Sequence, residues 1–323
     1  MSMIPWAVMA VASGVAGYFN PIPQVGEPGY SPEPRHHFRV MFENDSAFNH
    51  DGNYTHGTRL DYARTLDDGD AWGVSIFQNI YTPEVHTHGA VPGQHPYAGY
   101  LALAGAYLLR GEQVGCSTEL QLGATGNAST ARYMQNGLHA MMGMEQWEGW
   151  GDQVPSEMTF QAASRQDYRL PFLEVTTPGG WQTDSLLFTR EEVGTVSLSA
   201  GLGWGFRVGR NLPPSMQVPG NSYASYGVGL LKKPGWRREE LSWFVVGTVY
   251  TSYVARDMGI DGGVFHHFDR TCGRQPWQVE GHLGLGVSYQ GIDYYAGALI
   301  HSRTYRSQDK NTVLGSFSMT WHW

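Results

Sequence analysis

Residues 42–57 read FENDSAFNHDGNYTHG, and a later stretch carries Gln135, His139 and Glu145. Asp45, with Asn44 and nearby backbone carbonyls, offers hard oxygen donors of the kind that hold Ca²⁺ rather than Zn²⁺. His139, as a neutral imidazole, takes a proton from water near neutral pH and so suits a general base. A cation beside such a base stabilises a developing oxyanion, and the two together hydrolyse an ester without a serine nucleophile. No G-x-S-x-G elbow occurs in the chain, which removes an α/β-hydrolase triad. Plainer readings compete. Asn-Asp followed by Asn-His-Asp-Gly is ordinary hairpin-loop composition, and a single helical histidine is often structural or solvated. His86, His88 and His95 lack regular ligand spacing and sit among Gly and Pro, as in a flexible loop.

These residues can meet only if the elements that carry them converge. Asn44 and Asp45 end an expected strand, HHFRVMFEN, and Thr55 stands at the start of the next one, whose GTRLDYART separates into two faces at period two. Ten further strands follow in 72–81, 97–110, 118–126, 158–176, 185–191, 195–209, 241–256, 277–290, 292–307 and 313–323, with DDGD, GG and QGID turns between several of them. One segment breaks the pattern: 129–148 is rich in Ala, Met, Leu and Glu and predicts a helix with Ser129 or Thr130 as N-cap. Gln135 and His139 are four apart and share a face of it. Glu145, six beyond the histidine, lies about 120° around a straight helix. Strand ends and a helix in a connecting loop both belong at the rim of a barrel.

The composition agrees with such a fold. Charged residues make up only 15% of the 323, aromatics 13%, and there are 42 glycines, yet no window after residue 20 is an apolar run long enough for a membrane helix. Twelve alternating strands in a low-charge chain fit a closed antiparallel transmembrane β-barrel, all-β, with both ends on one side. A soluble β-sandwich shares the composition. The last strand separates the two: Phe317, Met319, Trp321 and Trp323 alternate with Ser, Thr and His, and two Trp on one face at a chain end suit a lipid interface. A net charge of −8 without basic runs gives no reason to expect nucleic acid as a partner. Residues 1–20 resemble the apolar core of a secretory signal peptide, without the usual basic residue ahead of it, and stand apart from the barrel of 36–323. Cys116 and Cys272 form no metal spacing, and their pairing is left open by sequence.

The chain resembles the lipid A 3'-O-deacylase family on END…YTHG, QNIYTPE, HPYAGYL, QNGLH…GME…GW, GRNLP, RDMGIDGGVF and SRTYRSQ leading to GSFSM, in this order over nearly the whole mature chain. The resemblance implies a twelve-stranded monomeric barrel in the bacterial outer membrane, among outer-membrane lipids, with its site between the barrel wall and a loop helix. It implies hydrolysis of the 3'-linked acyloxyacyl ester of lipid A in lipopolysaccharide, aided by Ca²⁺. By motif, His139 matches the base, Asn44, Asp45 and Thr55 the polar rim group with Asp45 toward the metal, and Glu145 an acidic site residue. Gln135 also matches and, sharing the histidine's face, is expected to orient its ring. Where such a family member carries basic groups, this chain has 86–89 and Gln94-His95. Protonated histidines there would strengthen phosphate binding below pH ~6.5. Two other functions share the architecture: a non-catalytic pore or surface-binding barrel, and a phospholipase acting on glycerolipids.

Overall fold

The computed structural model describes residues 34–45, 52–84, 89, 91–214, 216, 226–233, 236, 238–269 and 272–323. The N-terminal signal-like segment and His86 and His88 lie outside them. The strands are β1 (His36–Asn44), β2 (Asn53–Thr65), β3 (Ala71–Thr82), β4 (Ala98–Leu109), β5 (Val114–Thr125), β6 (Met158–Arg169), β7 (Val175–Thr176), β8 (Gln182–Gly194), β9 (Ser197–Arg210), β10 (Ser242–Asp257), β11 (Trp277–Tyr289), β12 (Ile292–His301) and β13 (Thr312–His322). Neighbours pair antiparallel. β1 pairs with β13 and β6 with β8, so twelve strands close on themselves, and the two-residue β7 is an appendage on β8. His36 and Trp323 exchange backbone hydrogen bonds of 2.9 and 3.0 Å, placing the start of β1 and the end of β13 at one rim.

Closure satisfies the ladder's donors and acceptors without water, the condition for crossing a bilayer with strands. It also sorts the side chains. Leu60, Val74, Ile76, Leu103, Leu120, Leu122, Val249, Leu283 and Leu285 point outward and are exposed. Edge-on aromatic pairs flank this apolar band, Tyr62–Trp72 and Trp181–Trp243 toward the terminal rim and Tyr253–Trp277 toward the other, as expected of interfacial girdles. The luminal face is charged and paired. Arg59, fully buried, meets Asp61 at 2.7 Å and Glu119 at 2.6 Å, and Arg39 meets Asp61 at 2.6 Å. Arg207 pairs with Asp184 and Arg190 with Glu280.

The lumen is filled toward the terminal rim. The connection from β9 to β10 turns back inside, where the Tyr226 ring lies 5.0 Å from the Arg59 guanidinium and packs beside Gly73. Leu230 and Leu231 join two apolar clusters of the inner wall. Arg110 Nε donates to the Gly229 carbonyl at 2.7 Å, and Arg169 donates to that of Lys232 at 2.9 Å. Arginine forks thus cap the carbonyls of an irregular segment that lies inside the wall.

Several expected boundaries need correcting, among them the strand expected over 292–307, which ends at His301. The helix (α1, Ala131–Met142) ends six residues earlier than 148, because Gly143 adopts φ 69° and closes a Schellman turn, with Met144 N–H donating to the His139 carbonyl at 2.8 Å. Thr130 occupies the N-cap with φ 59° and no capping bond from its side chain; its hydroxyl donates to the Ser129 carbonyl instead. The expected strand 158–176 stops at Arg169, where Pro171 opens a 3₁₀ turn and removes a ladder donor. Cys116 and Cys272 are both free and buried. They stand near opposite rims, one in the terminal half of β5 and the other beside Ile260 and Tyr305.

Arg59 bridges two buried carboxylates, and its removal takes the ion pair from Glu119 and leaves Asp61 with Arg39. Arg59→Ala should destabilise the folded barrel by about 3–5 kcal/mol. A lowered midpoint in the temperature series of folded and unfolded gel bands checks it; an unchanged midpoint counts against the network.

Candidate active site

By period two, Gln78, Ile80 and Thr82 belong to the outward face of β3, in line with the exposed Val74 and Ile76. All three are nevertheless buried. What covers Gln78 and Ile80 is the loop between β5 and β6. Gln78 Nε2 donates to the Ser129 carbonyl at 2.6 Å and to Thr130 Oγ1 at 3.2 Å, pinning the start of α1 to the outer wall. Ala131 sits on Gly99 of β4, where an added Cβ would stand 2.3 Å from the Ala131 methyl. Glycine is needed here for close approach. Ile80, Tyr97, Ala131, Trp147 and Trp150 form one cluster that seals the contact.

Beside this column lies the rim group. β2 carries a bulge between Tyr54 and His56 that inserts Thr55 as an extra residue, and a bulge re-aims the side chain it inserts. The Thr55 hydroxyl reaches Thr82 Oγ1 on β3 at 2.6 Å. Asn44 lies directly opposite His56 in the β1–β2 ladder, and His56 opposite Ile80. Asp45, fully buried, donates its N–H to the Thr55 carbonyl at 3.4 Å, and its Oδ2 accepts the Gly52 N–H at 2.7 Å. Asn44, Asp45 and Thr55 are therefore gathered at one strand-end corner, with Asn44 in the ladder row that holds His56 and the outward Ile80.

α1 turns Ala131, Gln135 and His139 toward the wall. His139 Nδ1 lies 2.6 Å from the Glu145 carbonyl. A carbonyl only accepts, so Nδ1 carries a proton, and in the neutral ring Nε2 is the nitrogen with the lone pair. The ring stands edge-on to Trp147, centroids 4.9 Å apart. Trp147 is itself clasped to α1 by reciprocal 3.1 Å bonds with the Asn136 amide. Through Trp147 the histidine joins the cluster that holds Ile80, two residues from Thr82.

Two expected roles change. Glu145 acts through its backbone oxygen, while the residue itself is exposed. The spacing argument for a straight helix does not reach it, since Gly143 has already reversed the chain. Gln135 does not orient the ring: both atoms of its buried amide lack a protein partner, leaving a donor and an acceptor at the site for water or substrate. His95 is corrected as well. It is buried, stacks on Tyr81 at 5.3 Å, and its Nδ1 donates to the Pro96 carbonyl at 2.7 Å. Burial lowers its pKa to about 4, so it is no cation for phosphates near neutral pH. Thr82, Trp147 and His56 were not singled out from sequence; the bulge that brings Thr55 to Thr82 has no local signature.

A cation's fit rests on oxygen donors alone. Asp45 carboxylate, the Asn44 side-chain oxygen and backbone carbonyls are hard ligands suited to Ca²⁺. No group of three or more His, Cys, Asp or Glu gathers as a metal cage among the described residues, so neutral oxygens and water would complete the shell. The cavity inside the barrel, about 200 Å³ and lined by Glu43, Asn79, Glu192 and Asp257 among others, includes none of Asn44, Asp45, Thr55, Gln135 or His139. The helix that carries Gln135 and His139 docks on the outer face of the wall.

A family model described as "Outer membrane protein LpxR" matches residues 5–323. The chain belongs to the LpxR family. It is an outer-membrane protein. Among solved structures, LpxR from Salmonella typhimurium aligns over 89% of this chain and all of that one, at 17% identity and a TM-score of 0.77, and shares the fold of this family member. The beta domain of the Bordetella autotransporter BrkA aligns over 90% of this chain and 98% of its own at 12% identity, with a TM-score of 0.43. No curated protein matches in sequence.

Two tests follow from this geometry of the LpxR-family chain. Gly99→Val should lift α1 from the wall while the barrel stays closed, exposing the backbone after Arg132 to trypsin. A digestion pattern identical to the parent's would show that the close contact does not seat the helix. His95, neutral when folded, has a folded pKa near 4 against an ordinary 6.5. The stability it contributes is full above pH 6.5 and is lost as pH falls toward 4, because the unfolded chain takes up the proton first. His95→Phe should remove this acid-sensitive part of rim stability between pH 6.5 and 4. Matching proteolysis–pH curves for variant and parent would reject it.

Proposed function

We propose that this chain is a lipid A deacylase that hydrolyses the 3'-linked acyloxyacyl ester of lipid A in the outer leaflet. One observation supports the reading: in an LpxR-family barrel, the His139 ring is held at Nδ1 by a carbonyl and packs through Trp147 on the outer-wall cluster of Ile80, which shares a ladder row with His56 and Asn44. A substrate for such a site arrives sideways from the membrane, which suits a lipid and not a solute passing through the lumen.

In the reaction, His139 Nε2 accepts a proton from water as the oxygen attacks the ester carbonyl. The Glu145 carbonyl, holding Nδ1–H, steadies the resulting imidazolium. The tetrahedral intermediate collapses when the same nitrogen returns the proton to the leaving alkoxide, releasing the carboxylic acid. The Gln135 amide is available to hold the substrate or the attacking water, and Thr55 lends a hydroxyl on the wall. A Ca²⁺ held by Asp45 with Asn44 and carbonyl oxygens would supply positive charge for the oxyanion.

The pore reading is disfavoured by the segment around Tyr226–Lys232, which occupies the lumen through bonds to Arg110 and Arg169. A glycerolipid phospholipase would use the same machinery, so the substrate decides. Mass spectrometry of lipid A from cells expressing the chain should show loss of an acyloxyacyl mass, abolished by His139→Gln and by chelation of divalent cations. Removing the general base should lower the rate by roughly 10²–10⁴-fold. Undiminished release from the His139→Gln protein would sink the assignment of the base. Lipid A left intact alongside hydrolysed phospholipid would favour the second enzyme class.

A further inference from the structure

α1 is amphipathic in the reverse of the usual sense. A helix lying on a water-soluble protein turns its apolar side inward and its polar side out. Here the inward stripe, recurring every four positions, is Ala131, Gln135 and His139. The outward side carries Tyr133, 73% exposed, Met134 and Met141, 85% exposed, with Leu138 half-buried between them. Large apolar side chains grouped on an exposed face require a partner that is not water.

The barrel's own lipid face leads to this helix. Leu101, Ala124 and Met158 form one outward row across β4, β5 and β6 by their pairing, and Met158 is exposed. The next outward residue of β4 is Gly99, the seat of Ala131. Two residues of strand rise about 7 Å. The helix therefore begins one step above the apolar band, with Leu122 and Phe160 exposed below that row.

The geometry points to α1 as a lipid-facing lid: Tyr133, Met134, Leu138 and Met141 rest among the acyl chains of the outer leaflet, while Gln135 and His139 stay sheltered beneath. The occupant is membrane lipid, because the exposed apolar side chains continue the surface that already meets the bilayer. A lid placed so keeps the polar side under it continuous with the leaflet. The inference stands apart from the catalytic reading, since it concerns only where the helix surface lies.

The test attaches the environment-sensitive fluorophore NBD to Met141→Cys and, separately, to Tyr133→Cys in the full protein, reconstituted in phosphatidylcholine vesicles. Some vesicles carry lipids brominated along the acyl chains, and bromine quenches only fluorophores that touch those chains. Leu103→Cys, in the exposed apolar band, gives the positive reference, and Lys310→Cys, on an exposed rim turn, the aqueous one. Cys116 and Cys272 are buried, and unsubstituted protein carried through labelling sets their background. Emission from positions 141 and 133 should be blue-shifted and lose a fraction similar to that lost at 103, with none lost at 310. Blue-shifted but unquenched emission would mean a protein partner such as a second copy, and water-like emission would mean no partner; either overturns the proposal. Each variant is first checked for the folded barrel's heat-dependent gel shift, and if one fails to fold the other carries the test. The measurement needs no turnover, so its failure and that of the deacylase assignment are told apart.

Discussion

A β-strand presents its two faces in strict alternation, and a barrel in a membrane must give one face to lipid and the other to a filled interior. At Gln78, Ile80 and Thr82 that rule is broken locally, since three outward positions are buried by protein. The candidate chemistry depends on this break. A wall of paired strands is rigid, and the α1 loop docked on its outside shelters Gln135 and His139 beneath it. Gly99 permits the contact, and the Gln78 amide and the cluster around Trp147 hold it.

Within that corner the histidine's tautomer is set by backbone. A carbonyl cannot donate, so the bond from His139 Nδ1 to the Glu145 oxygen leaves the other nitrogen basic. The carbonyl arrives where it does because Gly143 takes a left-handed conformation and turns the chain back along the helix. Side chains with a carboxylate often play this part. Using a main-chain oxygen makes the orientation a property of the helix's termination.

The interior serves stability. Its arginines pair with carboxylates on their own strand, on the next strand and across the lumen, and with carbonyls of the returning β9–β10 connection. Buried charges in such number tie the wall and its filling together, since removing one partner leaves the other desolvated. The docked α1 and the filled lumen thus lie on opposite sides of one sheet, and the outer surface is left to deal with lipid.

Alternation, turn residues and the aromatic final strand were enough for an all-β membrane barrel of twelve strands, because period-two patterning is local and repeats along every strand. The helix was legible from Ala, Met and Leu, and the shared face of Gln135 and His139 from their spacing. Its end was misplaced, as a glycine inside a helix-forming run does not announce its sign of φ. That misplacement hid the Glu145 carbonyl, and the shared face by itself suggested an orienting role that Gln135 does not take. His95 read as a surface cation because sequence does not show the Tyr81 and Tyr305 rings that bury it. Sequence by itself determined the elements and the residue types capable of hydrolysis. Only the tertiary structure decided which side of the wall they occupy and which atom orients which. Those depend on a bulge, a left-handed glycine and the docking of residues distant in the chain, none of which leaves a periodic trace.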